Sequence, residues 1–389
     1  MGRSEVILGI DLGTSFSTAA AVIDGKLHFA LDSRGEACFP TVVHFPKVGA
    51  PLVGHEADRQ REVDPANTFF GFKRVIGRTS ESPATKVLDA SAPFKLVLKP
   101  TQEVAVKARA AAVSATELAA IVLRHLKERA TQRFNREISK TVLTVPANSS
   151  SATRAAMVKA AQRAGLEVLR LVQEPVAGAV AHGANAKAPP FIVYDFGGGT
   201  FDAAVVRGTG AGLELLASGG DDCLGGDDLD LAFSRYIANG LWKIRRLEAQ
   251  KDAVLWTRIV RQCEQVKRAL SNAPQVRYQL KDAFTDLQPD LDIVINRDQV
   301  APSWAELVQR SLDATDATVK KSGLDRAALA GALLIGGTTF VHQVRTAVNG
   351  MFAGKVLLEK DPQTAVARGA AIIASNPEVA GPDVFAPAA

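Results

Sequence analysis

Two aspartates, Asp11 and Asp195, stand beside glycine turns in segments that resemble each other, 195 − 11 = 184 positions apart. The first copy reads Gly9-Ile10-Asp11-Leu12-Gly13-Thr14-Ser15. The second reads Tyr194-Asp195-Phe196-Gly197-Gly198-Gly199-Thr200-Phe201-Asp202. In each, an apolar strand leads to an acid, a glycine turn, a hydroxyl residue and a second apolar strand (Ala19 to Ile23; Ala203 to Val206). Glycine lets such a hairpin tighten until backbone N–H groups point at an anion. The aspartate beside it would repel phosphate unless a divalent cation lay between them. Two such hairpins facing each other predict a clamp that grips a polyphosphate and its Mg²⁺ from both sides.

The elements that must hold these hairpins follow from periodicity. Strand-like runs at Val6–Ile10, Ala19–Ile23, Thr141–Val145 and Val168–Val172 alternate with helical patterns at Ser114–Asn135 and Ser151–Ala164, which predicts an α/β lobe. The second half repeats the scheme, with strands at Phe191–Asp195, Ala203–Arg207, Leu213–Ser218 and Ala332–Ile335. Helices are predicted at Leu229–Leu247, Asp252–Leu270 and Ser303–Ser322, and another from Val341, which Gly336-Gly337 opens. The proline-rich segment after Pro40 and the mixed region around Val276–Leu280 read as inserts. The expected organisation is lobe I over 1–186 with an insert at about 40–113, lobe II over 187–375 with an insert at about 227–310, and a flexible tail at 376–389.

Composition narrows the class. The chain has 389 residues, 47% apolar and 22% charged, with a net charge of +5, ordinary values for a soluble globular protein. Basic and acidic residues alternate in Arg124 to Glu137, which suits a solvated helix face better than a nucleic-acid surface. No apolar run approaches the ~18 residues of a membrane span. Cys38, Cys223 and Cys263 are scattered, with no paired spacing, as expected of a cytoplasmic protein without structural zinc. The chain enters its first strand almost at once, leaving no room for a secretory signal.

Paired hairpins alone suit any actin-like ATPase, sugar kinases and filament proteins included. Further segments, in order, are Gly71-Phe72-Lys73-Arg74-Val75-Ile76-Gly77, Val172-Gln173-Glu174-Pro175-Val176-Ala177-Gly178-Ala179 and Gly225-Gly226-Asp227-Asp228-Leu229-Asp230. Glu264-Gln265-Val266-Lys267-Arg268-Ala269-Leu270-Ser271 and Leu334-Ile335-Gly336-Gly337-Thr338-Thr339 complete the set. Together they resemble the nucleotide-binding domain of the 70 kDa heat shock chaperones (DnaK type), over about residues 5–375. The resemblance implies an actin-like (ribonuclease H-like) fold of two pseudo-repeated lobes around an ATP cleft.

It also implies roles. Gly13, Thr14 and Ser15 would meet phosphate from one lobe, and Gly197, Gly198, Gly199 and Thr200 from the other. Asp11, Asp195 and Asp202 would hold Mg²⁺, largely through water. Lys73 would stabilise charge on the γ-phosphoryl group, while Glu174, Asp202 and Thr200 orient the attacking water. Gly226, Asp227, Glu264, Lys267, Arg268, Ser271, Gly336, Gly337, Thr338 and Phe340 would bind the rest of ATP or ADP. Glu264, Lys267 and Ser271 recur at helical spacing on one face. The chain departs from the family at Phe340, where an arginine is usual, and at Asp361-Pro362-Gln363, where an acid commonly ends the triplet.

Ala177-Gly178-Ala179 and Arg368-Gly369-Ala370-Ala371 would form hinge helices beneath the nucleotide, and Pro146 and Arg154 match relay positions. A J-domain co-chaperone and a nucleotide exchange factor are the partners the resemblance implies. Val384-Phe385 is a thin remnant of an apolar linker, so the chain is expected to be either a part of a longer chaperone or a stand-alone paralogue. A client would be bound only through a substrate domain elsewhere. An actin-like assembly protein is the alternative of a different class.

Overall fold

The computed structural model describes residues 5–281 and 290–382. Two mixed sheets carry the fold, and they are built alike. In the first, strand Ile7–Leu12 pairs antiparallel with Phe16–Ile23 and parallel with Lys140–Val145, which pairs parallel with Glu167–Gln173. In the second, Phe191–Phe196 pairs antiparallel with Phe201–Gly208 and parallel with Ala332–Ile335, which pairs parallel with Val356–Leu358. The outer antiparallel strands are Lys26–Phe29 and Leu213–Asp221. This is the actin-like ATPase fold of two pseudo-repeated lobes. The register carries the repeat down to single residues: Asp11 lies opposite Thr18 and Asp195 opposite Asp202.

Helix Ala115–Phe134 shows why the elements begin where they do. Ser114 accepts from the Glu117 N–H while the Glu117 carboxylate accepts from the Ser114 N–H, a reciprocal cap, and Asn135 closes the helix at φ 50°. Helix Ser151–Arg163 is capped by Ser150. One boundary differs from expectation. The helix expected from Ser303 begins at Arg297, with Pro302 inside it. A capping box at Asn296 and Gln299 starts it early, and a proline so close to the N-terminus removes only one bond, to Asp298. Beyond Gly336 the chain makes a 3₁₀ turn, Gly337–Phe340, before the helix His342–Met351.

Residues 376–382 correct the expectation of a loose tail. Arg170 donates to the carbonyls of Pro377, Gly381 and Pro382, and Ala380 is buried. Composition there is polar and proline-rich, but a guanidinium can bind a bare backbone whatever its side chains are. Val384-Phe385 lies outside the described residues.

Each lobe has its own apolar core, and a third core joins them. That third core is made by helices Glu174–Ala181 and Ala365–Ser375, which follow the last parallel strand of each sheet and pack together. The crossing is as close as backbone allows: a Cβ on Gly369 would sit 1.7 Å from the Ala177 carbonyl oxygen. No rotamer relieves such a clash. Gly369→Ala should therefore destabilise the protein by roughly 1–3 kcal/mol or more in urea unfolding. Gly240 lies within a helix with nothing near its absent side chain, so Gly240→Ala should stabilise by about 0.5–1 kcal/mol. Equal effects from the two substitutions would refute this reading of the crossing.

Candidate functional site

Both hairpins end at the seam between the lobes, and their turns require glycine. A Cβ on Gly13 would lie 2.1 Å from the Phe16 carbonyl oxygen. In the second turn the Gly197 N–H donates to Thr200 O at 3.1 Å. The tips touch each other in this closed arrangement. A Cβ on Gly198 would meet Ser15 Oγ at 2.0 Å, and one on Gly199 would meet Thr14 Cγ2 at 2.2 Å. Ser15 Oγ donates across the seam to Asp227 Oδ1 at 2.8 Å. Anything held between these tips requires the lobes to part first.

Beside the tips lies a buried charge cluster. Lys73 Nζ reaches Glu174 Oε1 at 2.8 Å, with both side chains less than 10% exposed. Lys73 comes from a short 3₁₀ turn in the first insert, and Glu174 is the first residue of the helix Glu174–Ala181. Asp11, Asp195 and Asp202 interact electrostatically with this pair. Burial pushes the Asp11 carboxyl up to about 7, and Glu174 adds to the rise while Lys73 opposes it. Burial, then Glu174 and Asp222, drive Asp202 up to about 8, against Lys73 and a hydrogen bond from Thr200. Asp195 is raised well above the ordinary carboxylate range by burial and by its three acidic neighbours. Burial pulls the Lys73 ammonium down, but Glu174 and Asp11 outweigh it and hold it above its ordinary value.

This donor set fits a hard divalent cation. Four carboxylates, three of them buried and Asp11 half-buried, face one ammonium, an excess of three negative charges when all are ionised, and oxygen is the ligand Mg²⁺ takes. Among the described residues, Asp11, Asp195 and Asp202 do not bring three ligand atoms within 4.8 Å of one another. A cation held among them therefore keeps water in its shell, as Mg²⁺ ordinarily does.

A cavity of ≈ 640 Å³ opens from Thr14, Ser15 and Phe16 towards both inserts. Glu264 and Arg268 line it with Asp227, Asp361 and Gln363. Arg268 stacks over the Phe16 ring at 5.2 Å. The expected shared face of Glu264, Lys267 and Ser271 is not formed. Lys267 is buried and gives its ammonium to Asp230 Oδ2 at 2.7 Å and to the Gly226 carbonyl at 2.8 Å. Ser271 caps the helix Ala253–Leu270 beyond the cavity. Burial of a cation requires a partner, and Asp230 supplies it from the neighbouring helix.

Gly336, Gly337, Thr338 and Phe340 are not cavity walls in this arrangement either. Thr338 Oγ1 donates to Gly197 O at 2.8 Å, which fixes the turn behind the second hairpin. Gly226 and Asp227 brace the same hairpin by donating to the carbonyls of Gly197 and Gly198. Phe340 lies under Arg345, whose guanidinium carbon is 5.1 Å from the ring centroid. Gln363 covers Gly337: its Nε2 is 2.9 Å from where a Cβ there would be.

Sequence reasoning missed the ion pairs across the seam. Arg74 grips Asp228 with two bonds of 3.3 and 2.6 Å. Arg261 in the second insert reaches Asp58 at 2.7 Å and Glu62 at 2.9 Å in the first. Arg78 pairs with Asp222 at 2.7 Å. No spacing rule links partners 144 to 203 residues apart. The only sequence signal was the basic pair Lys73-Arg74 beside a glycine.

The raised carboxyls imply a pH dependence. Their folded pKa values lie above the ordinary unfolded value of 3.8, so the folded state binds the extra protons between about pH 4 and 8. Stability of the metal-free protein should then fall as pH rises through that window. Melting temperatures without cation should drop from pH 6 to pH 8.5, and Mg²⁺ should restore more at the upper end. A cation effect that is the same at both pH values would refute the cluster as its binding place.

A family profile described as "Hsp70 protein" matches residues 7–380. A protein named "Chaperone protein HscA homolog" from Delftia acidovorans (strain DSM 14801 / SPH-1) is 34% identical over 381 residues, covering 96% of this chain and 59% of its own length. A relative of the same name from Burkholderia mallei (strain SAVP1) is 36% identical over 372 residues, covering 95% of this chain and 58% of its own. The chain thus spans a little under three-fifths of the curated relatives it matches. With the duplicated hairpins, the match across both lobes and relatives above 30% identity, the chain belongs to the Hsp70 family.

Proposed function

We propose that this chain binds and hydrolyses ATP as the nucleotide-binding part of an Hsp70-type chaperone, with lobe I over 1–186 and lobe II over 187–375. The observation that carries the reading is the buried assembly of Asp11, Lys73, Glu174, Asp195 and Asp202, where the two hairpin tips meet. Mg²⁺, held by Asp11, Asp195 and Asp202 through water, would neutralise phosphate charge when bound.

The chain's own residues would do the rest. Gly13 to Ser15 and Gly197 to Thr200 present backbone and hydroxyl donors to the phosphates from opposite lobes. Lys73 is kept protonated by its acidic neighbours, so it would offer a fixed positive charge to the γ-phosphoryl oxygens. Glu174 and Asp202, with the Thr200 hydroxyl, would orient the attacking water. Glu264 and Arg268 would line the nucleoside end, in the cavity that opens from the tips. Lys267, Ser271, Gly336 to Thr338 and Phe340 would join them only after the lobes part. The touching tips support a cycle of opening and closure, since a triphosphate cannot enter while Ser15 rests on Gly198.

The close helix crossing at Gly369 and Ala177 would serve as the hinge, because small residues let helices shear. The names of the relatives support a chaperone rather than a filament or a sugar kinase. A J-domain co-chaperone would speed hydrolysis, and an exchange factor would open the cleft across the inserts. The three free cysteines fit a reducing cytoplasm.

Single-turnover cleavage of ATP tests the assignment. Lys73→Ala and Thr200→Ala should each still bind ATP yet cleave it at least ~10²-fold more slowly than the unaltered chain. Turnover unchanged in both would refute the roles given to these side chains.

A further inference from the structure

A second, smaller cavity of ≈ 30 Å³ also lies on the seam. Arg74 is the one residue that lines both it and the large cleft. Its walls come from lobe I (Lys73, Arg74, Arg78, Ser149 and Thr153 among them) and from lobe II (Thr200 and Asp222). Three cations and one carboxylate thus surround a space directly beside the proposed reacting groups. Two of its wall residues carry buried polar atoms without a hydrogen-bond partner, Ser149 Oγ and Arg74 Nε, and the Arg74 side chain is only 5% exposed. Buried donors without partners call for a ligand or water. Each of the three cations already has an acid partner, Lys73 with Glu174, Arg74 with Asp228 and Arg78 with Asp222, but the Arg74 Nε–H has no acceptor, and an oxyanion would supply one.

We propose that this chamber takes up inorganic phosphate after cleavage and is its way out, with the Arg78–Asp222 pair as the gate. The proposal rests on the ATPase reading above. In that reaction, water oxygen forms a bond to the γ-phosphorus and the bond from that phosphorus to the bridging oxygen breaks. ADP keeps the bridging oxygen, hydrogen phosphate carries the new one, and one proton is released. ADP is held by the nucleoside cavity, whereas the phosphate is formed against Lys73 and Thr200, which already wall the chamber.

In the closed arrangement the space holds about two waters, less than a phosphate ion needs, so passage requires the walls to separate. Arg78 and Asp222 stand on opposite lobes, 2.7 Å apart and 29% and 48% exposed, where the chamber meets solvent. Ser218 Oγ donating to Asn148 Oδ1 at 2.7 Å is a second tie across the same edge.

The test follows cleavage and phosphate release separately in one turnover, the first by quenching and the second with a fluorescent phosphate sensor. Arg78→Ala and Arg78→Met should each release phosphate about two- to fivefold faster, the scale of one part-exposed ion pair, with cleavage and ADP release unchanged. Ser149→Leu, which fills the chamber, should slow phosphate release severalfold without slowing cleavage. Unaltered phosphate release in all three variants, with normal cleavage, overturns the exit but leaves the ATPase reading intact. Release as fast as cleavage in the unaltered chain also overturns it, because nothing would then gate the way out. Absence of cleavage in the unaltered chain defeats the ATPase reading itself.

Discussion

Four carboxylates, three of them buried and Asp11 half-buried, gather with a single ammonium at the seam, and both lobes are needed to bring them together. Moving ionised carboxylates out of water costs several kcal/mol each unless they are compensated. Lys73 compensates one acid, Glu174, at hydrogen-bond distance. Burial pushes the remaining three carboxyls up, Asp11 to about 7, Asp202 to about 8 and Asp195 well above the ordinary range. Such a pocket is poised for a divalent cation, whose charge would convert that unfavourable burial into affinity. Strands from both lobes, the helix Glu174–Ala181 and an insert turn bring these groups together. None of the five can drift away unless a core moves with it.

Duplication explains how one chain places such groups symmetrically. Each sheet presents an aspartate at the end of its first strand and a glycine turn after it, and the strand orders correspond. The copies then diverge where chemistry needs asymmetry. Opposite Asp11 stands Thr18, which is buried and reaches Cys38 Sγ. Opposite Asp195 stands Asp202, a third acid that accepts from Thr200. Lobe I supplies the lysine and lobe II the extra carboxylate, so neither half is a complete site.

Closure is held by a different set of interactions. Arg74, Arg78 and Arg261 each bind an acid on the opposite lobe, while Ser15 touches Asp227. These contacts are polar and graded in exposure, unlike the apolar third core beneath them. The part-exposed Arg78–Asp222 pair can separate at small net cost, whereas the Gly369 and Ala177 crossing cannot be pulled apart without opening a cavity.

The repeated Asp-and-glycine hairpins and the alternation of strands and helices were legible from the chain alone. Each depends on residues close in sequence, where turn chemistry and periodicity act directly. That Lys73 and Glu174 belong to one site had only the order of motifs behind it, and their pairing came from the fold. Tertiary structure alone decided that Lys267 turns inward to Asp230, that Phe340 lies beneath Arg345, that Arg170 fastens residues 377–382 and that Arg261 reaches Asp58. Each of those choices is a competition between burial and available partners. The winning partner lies on another element, so its identity is set by packing in three dimensions and leaves no trace in local spacing.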